Sequence, residues 1–432
     1  MSGDRRSADV VIAGAGITGW ILAALLANQN LSVVVLEQRY QRPRDGSFAG
    51  VVTDSDFDAL GLGRPPAARL QPLESVVDIN LDTRGVPSTQ EVSGTFAVRH
   101  HDLLTWLQTR ALHSGVIFER AATVTELRWH GGAVAGVVAG ADATEWNARV
   151  VVLADESDPR LAEEPGLRPD WSPAQLMHTA RQRFEGTHPL SDYATVHEQR
   201  HHDRVDAGPG RNVPEFAAVF SGRTTWGQAG FGTLVPCGNT STLTVAMLLE
   251  DEMTSTRHIK EFMNEVLAHP AIAPAIESLA PAAFVTEVIP IGGTAHPHRF
   301  SGDGVLVLGD VVGLTHPLNR DGLSSNVDVA KVAAETIVDS GRTGDFSSIA
   351  LSRYDERVRE LVIEPLRSCA EAESLPADVA WSVSTRFLPL TAVAHAYHVA
   401  DSVEARLHRA GQRPVSLRKR LTGLGQRIRH GD

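Results

Sequence analysis

The order strand, glycine motif, helix, strand, acid within residues 8–37 constrains this chain more than any other feature. Ala8-Asp9-Val10-Val11-Ile12-Ala13 is an apolar run too short for a helix and rich in β-branched residues, so it reads as a buried strand. Gly14-Ala15-Gly16-Ile17-Thr18-Gly19 follows at once, a G-x-G-x-x-G. Residues 20–28 are helix formers without a breaker, and Leu31-Ser32-Val33-Val34-Val35-Leu36 is a second strand that ends on Glu37. Each part has a physical task. Gly14 makes the turn out of the strand, Gly16 lets a pyrophosphate approach the backbone, and Gly19 lets the helix lie close to the sheet. The helix N-terminus, around Ile17 and Thr18, presents N–H groups and a partial positive charge to phosphate. Glu37, with Gln38 beside it, stands where a ribose offers its hydroxyls, and a carboxylate there disfavours a 2′-phosphate. An ADP-containing dinucleotide, FAD or NAD, is expected here.

Length and composition bound the class. A chain of 432 residues suggests two or three units. Its net charge of -12 argues against nucleic acid as a partner. No apolar run is long enough to span a bilayer. Residues 1–7 are short and polar, unlike a secretory leader. Cys237 and Cys369 are too few for a disulfide framework or an iron–sulfur cluster. A cytoplasmic enzyme with no metal site is the expectation.

Further along, residues 55–62 read as a helix and residues 73–91 as a hairpin inserted in the nucleotide-binding unit. Phe96-Ala97-Val98-Arg99-His100 opens a stretch that reads as helix to about residue 113. Residues 116–138 read as an antiparallel meander, and Val150-Val151-Val152-Leu153 as a buried strand that returns to a parallel sheet and closes on Asp155. Val305-Leu306-Val307-Leu308 is another such strand; Gly309-Asp310 ends it, and a helix is expected from about Leu323. The fold class is α/β. A discontinuous Rossmann-type domain would comprise residues 1–72, 92–177 and 286–360, with a β-rich substrate domain over 178–285 and a helical C-terminal segment over 361–432.

Residues 8–37, Asp155 after its strand, and the run from Gly309-Asp310 to Asn326 together resemble the FAD-containing aromatic-hydroxylase superfamily, the group A flavin monooxygenase fold with a GR2-like FAD-binding domain. Ile289-Pro290-Ile291-Gly292-Gly293, followed by Gly302-Asp303-Gly304 and the strand to Asp310, looks most like the branch of geranylgeranyl reductases and the electron-transfer flavoproteins of nitrogen fixation. The likeness covers most of residues 8–360. It implies that Gly14, Gly16 and Gly19 hold the FAD pyrophosphate, Glu37 the adenosine ribose, and Asp310, after Gly309, the ribityl chain. It also implies that Pro317, Gly322, Leu323 and Ser324 line the flavin ring, where a helix N-terminus stabilises the anionic reduced form. Three departures stand out. Where the family opens a helix on arginine, this chain has His100 with Arg99 just before it, so either is a candidate for the phosphates. The family's Asp-Gly, linked to NADPH use, is Asp155-Glu156 here. The loop over residues 313–322 carries Asn319-Arg320-Asp321 in place of small residues.

The resemblance implies an FAD-dependent oxidoreductase, and first of all a monooxygenase of secondary-metabolism type. NADPH or NADH would reduce the flavin, and O2 would oxidise a small organic substrate by way of a flavin hydroperoxide. One alternative is an O2-independent reductase or dehydrogenase of the geranylgeranyl-reductase type, to which Asp155-Glu156 points. Another is a flavoprotein that binds FAD structurally or depends on a protein electron donor. His316 is the candidate catalytic proton donor, a role that suits histidine because the unperturbed side chain titrates near neutrality. A loop histidine before a proline is its plainer reading. Trp171, Trp226 and Phe231 line an apolar pocket or fill core; Cys237 reads as structural. The basic stretch over residues 406–429 reads as a terminal helix lying on an acidic body, with a membrane surface as the alternative partner.

Overall fold

Val10, Val11, Ile12 and Ala13 are buried, as a central parallel strand covered on both faces requires. They belong to a computed structural model of the full chain. It describes residues 5–27, 29–38, 48–80, 88–154, 159–167, 171–186, 216–225, 228–270, 272–292, 299–315, 323–364 and 366–367. The strands are β1 (Arg5–Ala13), β2 (Val33–Glu37), β3 (Ala49–Thr53), β4 (Gln71–Asn80), β5 (Ser88–Arg99), β6 (Ile117–Arg120), β7 (Val124–His130) and β8 (Ala133–Ala139). They continue with β9 (Thr144–Leu153), β10 (Leu176–Glu185), β11 (Phe216–Thr225), β12 (Gln228–Cys237), β13 (Thr240–Leu248), β14 (Ala280–Pro290), β15 (Ser301–Gly302) and β16 (Val305–Val307). The helices used below are α1 (Ile17–Leu26), α2 (Asp54–Leu60), α3 (His100–His113), α4 (Leu249–Thr254), α5 (Ile259–Ala268), α6 (Leu323–Thr343) and α7 (Ser348–Val358).

The first sheet runs β15-β16-β9-β1-β2-β6, with β8 and then β7 continuing antiparallel from β9. The strands β16, β9, β1, β2 and β6 are mutually parallel. Helix α1 lies between this sheet and helices α3 and α6. It carries no ionisable residue and is buried along nearly its whole length, as its apolar circumference demands. On the other flank, Tyr354 of α7 donates its hydroxyl to the Val307 carbonyl at 2.9 Å. Beside it, Asp355 accepts from the Phe300 N–H at 2.6 Å and the Ser301 hydroxyl at 2.7 Å. These bonds pin α7 to β15 and β16 and so fix the strand that delivers Asp310.

The second sheet runs β14-β10-β13-β12-β11-β4-β5-β3. One face is closed by α5, whose Ile259, Phe262, Met263 and Val266 pack against Ala180, Phe184, Leu243, Val245 and Met247. Apolar residues spaced i, i+3, i+4, i+7 make that face of α5.

Three expectations are corrected. The hairpin read over residues 73–91 is part of the second sheet rather than an insertion in the nucleotide-binding sheet. Its strand β4 pairs in parallel with β11, from Phe216↔Ser75 to Ser221↔Asn80. Parallel pairing joins segments far apart in sequence, so no local pattern announces it. The helix read from Phe96 begins at His100, because residues up to Arg99 are held as strand between β3 and β4; tertiary pairing overrides a weak local preference. Finally, β6 leaves the expected meander and pairs in parallel with β2, Val34↔Ile117 to Glu37↔Arg120.

Candidate functional site

The four central strands of the first sheet end in step. Ala13 is registered with Leu36 on one side and Leu153 on the other, and Leu153 with Val307. The next residues continue the ladder: Gly14 N–H donates to Leu36 O at 2.9 Å, Ala154 N–H to Ala13 O at 2.8 Å, and Leu308 N–H to Leu153 O at 2.9 Å. Glu37, the glycine loop and Gly309-Asp310 therefore lie along one carboxyl edge, where open parallel sheets place their ligands.

The glycine loop fits a pyrophosphate. Gly14 has φ 116°, which a side chain strongly disfavours. A Cβ on Gly19 would lie 2.3 Å from the Gly14 carbonyl oxygen, so only glycine lets α1 approach β1 this closely. Helix α1 opens on Gly16 with no side-chain cap and no acid in its first turn. Its first N–H groups, those of Ile17, Thr18 and Gly19, have no partner within the helix. An uncapped, acid-free helix start beside a Cβ-free backbone can take an anionic phosphate group. Glu37 Oε2 accepts the Ala15 N–H at 3.1 Å, tying the acid to the loop itself. Gln38, half-buried, follows directly.

A second cluster joins this loop to the far end of the edge. Thr18 Oγ1 donates to Asn326 Oδ1 at 2.9 Å, and Asn326 Nδ2 donates to Asp310 Oδ1 at 2.8 Å. Thr18 and Asn326 are both buried. Gly309, at φ 97°, starts the short helical turn Asp310–Val312, and Gly313, at φ 73°, ends it. Trp171 covers that turn. Its indole N–H donates to Val311 O at 3.2 Å, and its ring leaves no room for a Cβ on Gly313, which would lie 2.5 Å away. Leu323 and Ser324 open α6, whose first turn again holds no acid. Ser324 Oγ donates to Asp56 Oδ1 at 2.6 Å, and the other Asp56 oxygen accepts from Thr53 at 2.8 Å from Oγ1.

Of the residues singled out in the sequence, the structure thus groups Gly14, Gly16, Ile17, Thr18 and Gly19 with Glu37, and links them to Gly309 and Asp310. Arg99 and His100 lie at the junction of β5 and α3. Arg99 Nε is turned onto Asp102 at 2.7 Å, and the His100 N–H donates to Phe48 O at 2.9 Å at the start of α3. His316, Pro317, Gly322, Asp155, Glu156, Trp226 and the basic stretch lie outside the described residues. Phe231 falls on β12, and Cys237 is buried at its end. Asn326, Asp56 and the role of Trp171 at the Gly313 turn were not read from sequence. Asn326 did leave a signal: it falls on the stripe Asn326, Ala330, Ala333, Ile337, all buried. A buried amide on an apolar stripe needs partners.

A model of the NAD(P)-binding Rossmann-like domain matches residues 12–42. Protein FixC of Escherichia coli O157:H7 is 26% identical over 387 residues, 85% of each chain. The probable electron transfer flavoprotein-quinone oxidoreductase YdiS of Escherichia coli K12 is 24% identical over 390 residues, 87% of this chain and 86% of its own. In fold, a geranylgeranyl bacteriochlorophyll reductase-like protein from Thermoplasma acidophilum superposes with TM-score 0.73 at 14% identity, covering 94% of this chain and 99% of that one. A substituted form of halogenase PltM, solved in complex with FAD, gives TM-score 0.67 at 14% identity over 96% and 85%. PqsL, a probable FAD-dependent monooxygenase from Pseudomonas aeruginosa, gives 0.60 at 21% over 91% and 100%.

By fold the chain is similar to FAD-dependent proteins, and by sequence to FixC and YdiS over most of its length. FAD as the expected cofactor agrees with the FAD-bound halogenase neighbour and with the Rossmann-like match. Among the described residues no helix is long and apolar enough to cross a membrane.

Proposed function

We propose that this flavoprotein is an FAD-dependent oxidoreductase that lays FAD along the carboxyl edge of its first sheet and acts on a small organic substrate without O2. The observation that carries the site is the common ending of β2, β1, β9 and β16. It spaces Glu37 and Asp310 by three interstrand steps, about 14 Å, a span suited to a molecule with a sugar on each side of its pyrophosphate. Gly14, Gly16, Ile17, Thr18 and Gly19 take the pyrophosphate, Glu37 with Gln38 the adenosine ribose, and Gly309-Asp310 the ribityl chain. Pro317, Gly322, Leu323 and Ser324 sit against the ring, Arg99 or His100 adds charge near the phosphates, and His316 is the candidate proton donor. When bound, FAD supplies the two-electron transfer; the chain orients it and excludes water.

Support for the O2-independent route comes from the fold likeness to a geranylgeranyl bacteriochlorophyll reductase-like protein over 94% of the chain. A protein electron partner is favoured by the likeness to YdiS. The departure at Asp155-Glu156 points the same way. The two cysteines leave an iron–sulfur relay without ligands. A second reading, a monooxygenase using NADPH or NADH and O2, is favoured by the fold likeness to PqsL.

The test is anaerobic addition of NADPH, then NADH, to the yellow protein, followed by admission of isotopically labelled O2 with candidate substrates. Flavin that bleaches with dithionite but with neither nucleotide supports a partner-fed or substrate-fed oxidoreductase. Bleaching by a nucleotide, with label appearing in an organic product, overturns the first reading in favour of the monooxygenase.

A further inference from the structure

We propose that Asn326 is a positioning residue that aims the Asp310 carboxylate at FAD and links it to the pyrophosphate loop through Thr18. The inference rests on the placement of FAD proposed above. Only one orientation of the amide satisfies its neighbours. With Thr18 donating to Oδ1 at 2.9 Å, Nδ2 faces Asp310 Oδ1 at 2.8 Å. A flipped amide would set its own oxygen against the carboxylate. Thr18 is the second residue of α1 and so part of the helix start that faces phosphate, while Asp310 follows β16, two strands from β1. One buried side chain therefore bridges both stations of the cofactor, and holds one oxygen of Asp310 from the side of α6.

This arrangement needs a neutral residue with a donor on one side and an acceptor on the other. Aspartate is nearly the same shape but lacks the donor when ionised. At position 326 it would place two carboxylates about 3 Å apart in a buried site, where one proton is retained because its pKa is strongly raised. Protonated, it regains a donor for Asp310 and an acceptor for Thr18. Several ionisable groups on elements packed against α6 are hydrogen-bonded or ion-paired, and Arg359 and Glu360 lie on the helical turn that follows α7. Asp56 of α2 is held by Ser324 and Thr53, and Glu37 by Ala15. On α7, Arg353 pairs with Asp339, Arg357 with Glu335, and Asp355 is bonded to Phe300 and Ser301. Asp328 and Lys331 lie on α6 itself, and α1 contributes no ionisable group. All of these are shared by wild type and variant, so the difference between the two isolates position 326.

The experiment is an FAD titration of the full-length apo-protein across pH, for wild type, Asn326→Asp and Asn326→Ala. Asn326→Asp is expected to bind FAD at least about tenfold more weakly than wild type near pH 8 and to recover most of that loss near pH 5. Asn326→Ala is expected to be weakened by a similar factor at every pH. Equal affinity of Asn326→Asp and wild type throughout, or a loss that does not change with pH, would overturn the inference. Failure of wild type itself to bind FAD would instead overturn the placement of the cofactor. Should Asn326→Asp not fold, the double variant Asn326→Asp/Asp310→Asn, which restores one donor to the pair, is titrated in its place. Binding near pH 8 no better than that of Asn326→Ala would then count against the bridge, and a pH-independent recovery would support it.

Discussion

Glu37 Oε2 and the backbone N–H of Ala15 are hydrogen-bonded at 3.1 Å, so the acid that closes β2 also sets the shape of the glycine loop. A charge-assisted bond of this kind contributes about 1.5–3 kcal/mol. Glu37→Gln keeps an oxygen for Ala15 but loses the charge, and is expected to weaken FAD binding about tenfold. Glu37→Ala leaves the Ala15 N–H without its acceptor and is expected to cost more. Fluorescence titration of the apo-protein with FAD reads both.

Gly19 is the point of closest approach between α1 and β1. An added methyl would sit 2.3 Å from the Gly14 carbonyl oxygen, which belongs to the loop and cannot swing aside. Gly19→Ala is therefore expected to destabilise by about 1–3 kcal/mol, as overpacking does, and to reduce bound flavin. Gly50→Ala is the control, because nothing lies within 4 Å of the added atom. Thermal midpoint and flavin absorbance per chain measure the pair.

Trp171 clamps the turn after Asp310 by its bond to Val311 O and by its ring against Gly313. Trp171→Phe keeps much of the packing and loses the bond, an expected loss of about 1 kcal/mol. Gly313→Ala meets both the indole and a φ of 73°, and is expected to lower the thermal midpoint further.

Asp355 gives the fold a pH signature. Burial pushes its carboxyl above the ordinary value, only partly offset by the bonds from Ser301 and Phe300 and by the charges of Arg359 and Arg299. The folded state therefore keeps the proton longer than the unfolded chain. Its contribution is full below the unfolded value of 3.8 and is lost as pH rises through the raised folded value. Asp355→Asn has no such loss. Its midpoint relative to wild type is expected to improve as pH rises from about 4 toward neutrality. A midpoint difference independent of pH would contradict this.

The parallel sheet and its glycine loop were legible because every part is local: a β-branched run, G-x-G-x-x-G, a breaker-free helix and Glu37 follow one another directly. Asp310 was legible for the same reason, as an acid closing a strand. The pairing of β4 with β11 was not, because it joins segments more than a hundred residues apart in sequence. Asn326 was hidden differently. Its stripe position marked it as buried, but its partners, Thr18 and Asp310, come from two other elements and are visible only in three dimensions.

The most direct test of the account is to purify the full chain, release its cofactor by heat, and determine which flavin it carries and how much. The account predicts FAD, about one per chain, and a clear loss in Gly19→Ala but not in Gly50→Ala. A wild-type chain that carries no flavin and shows no affinity for added FAD, or that holds FAD equally well in both variants, would contradict it.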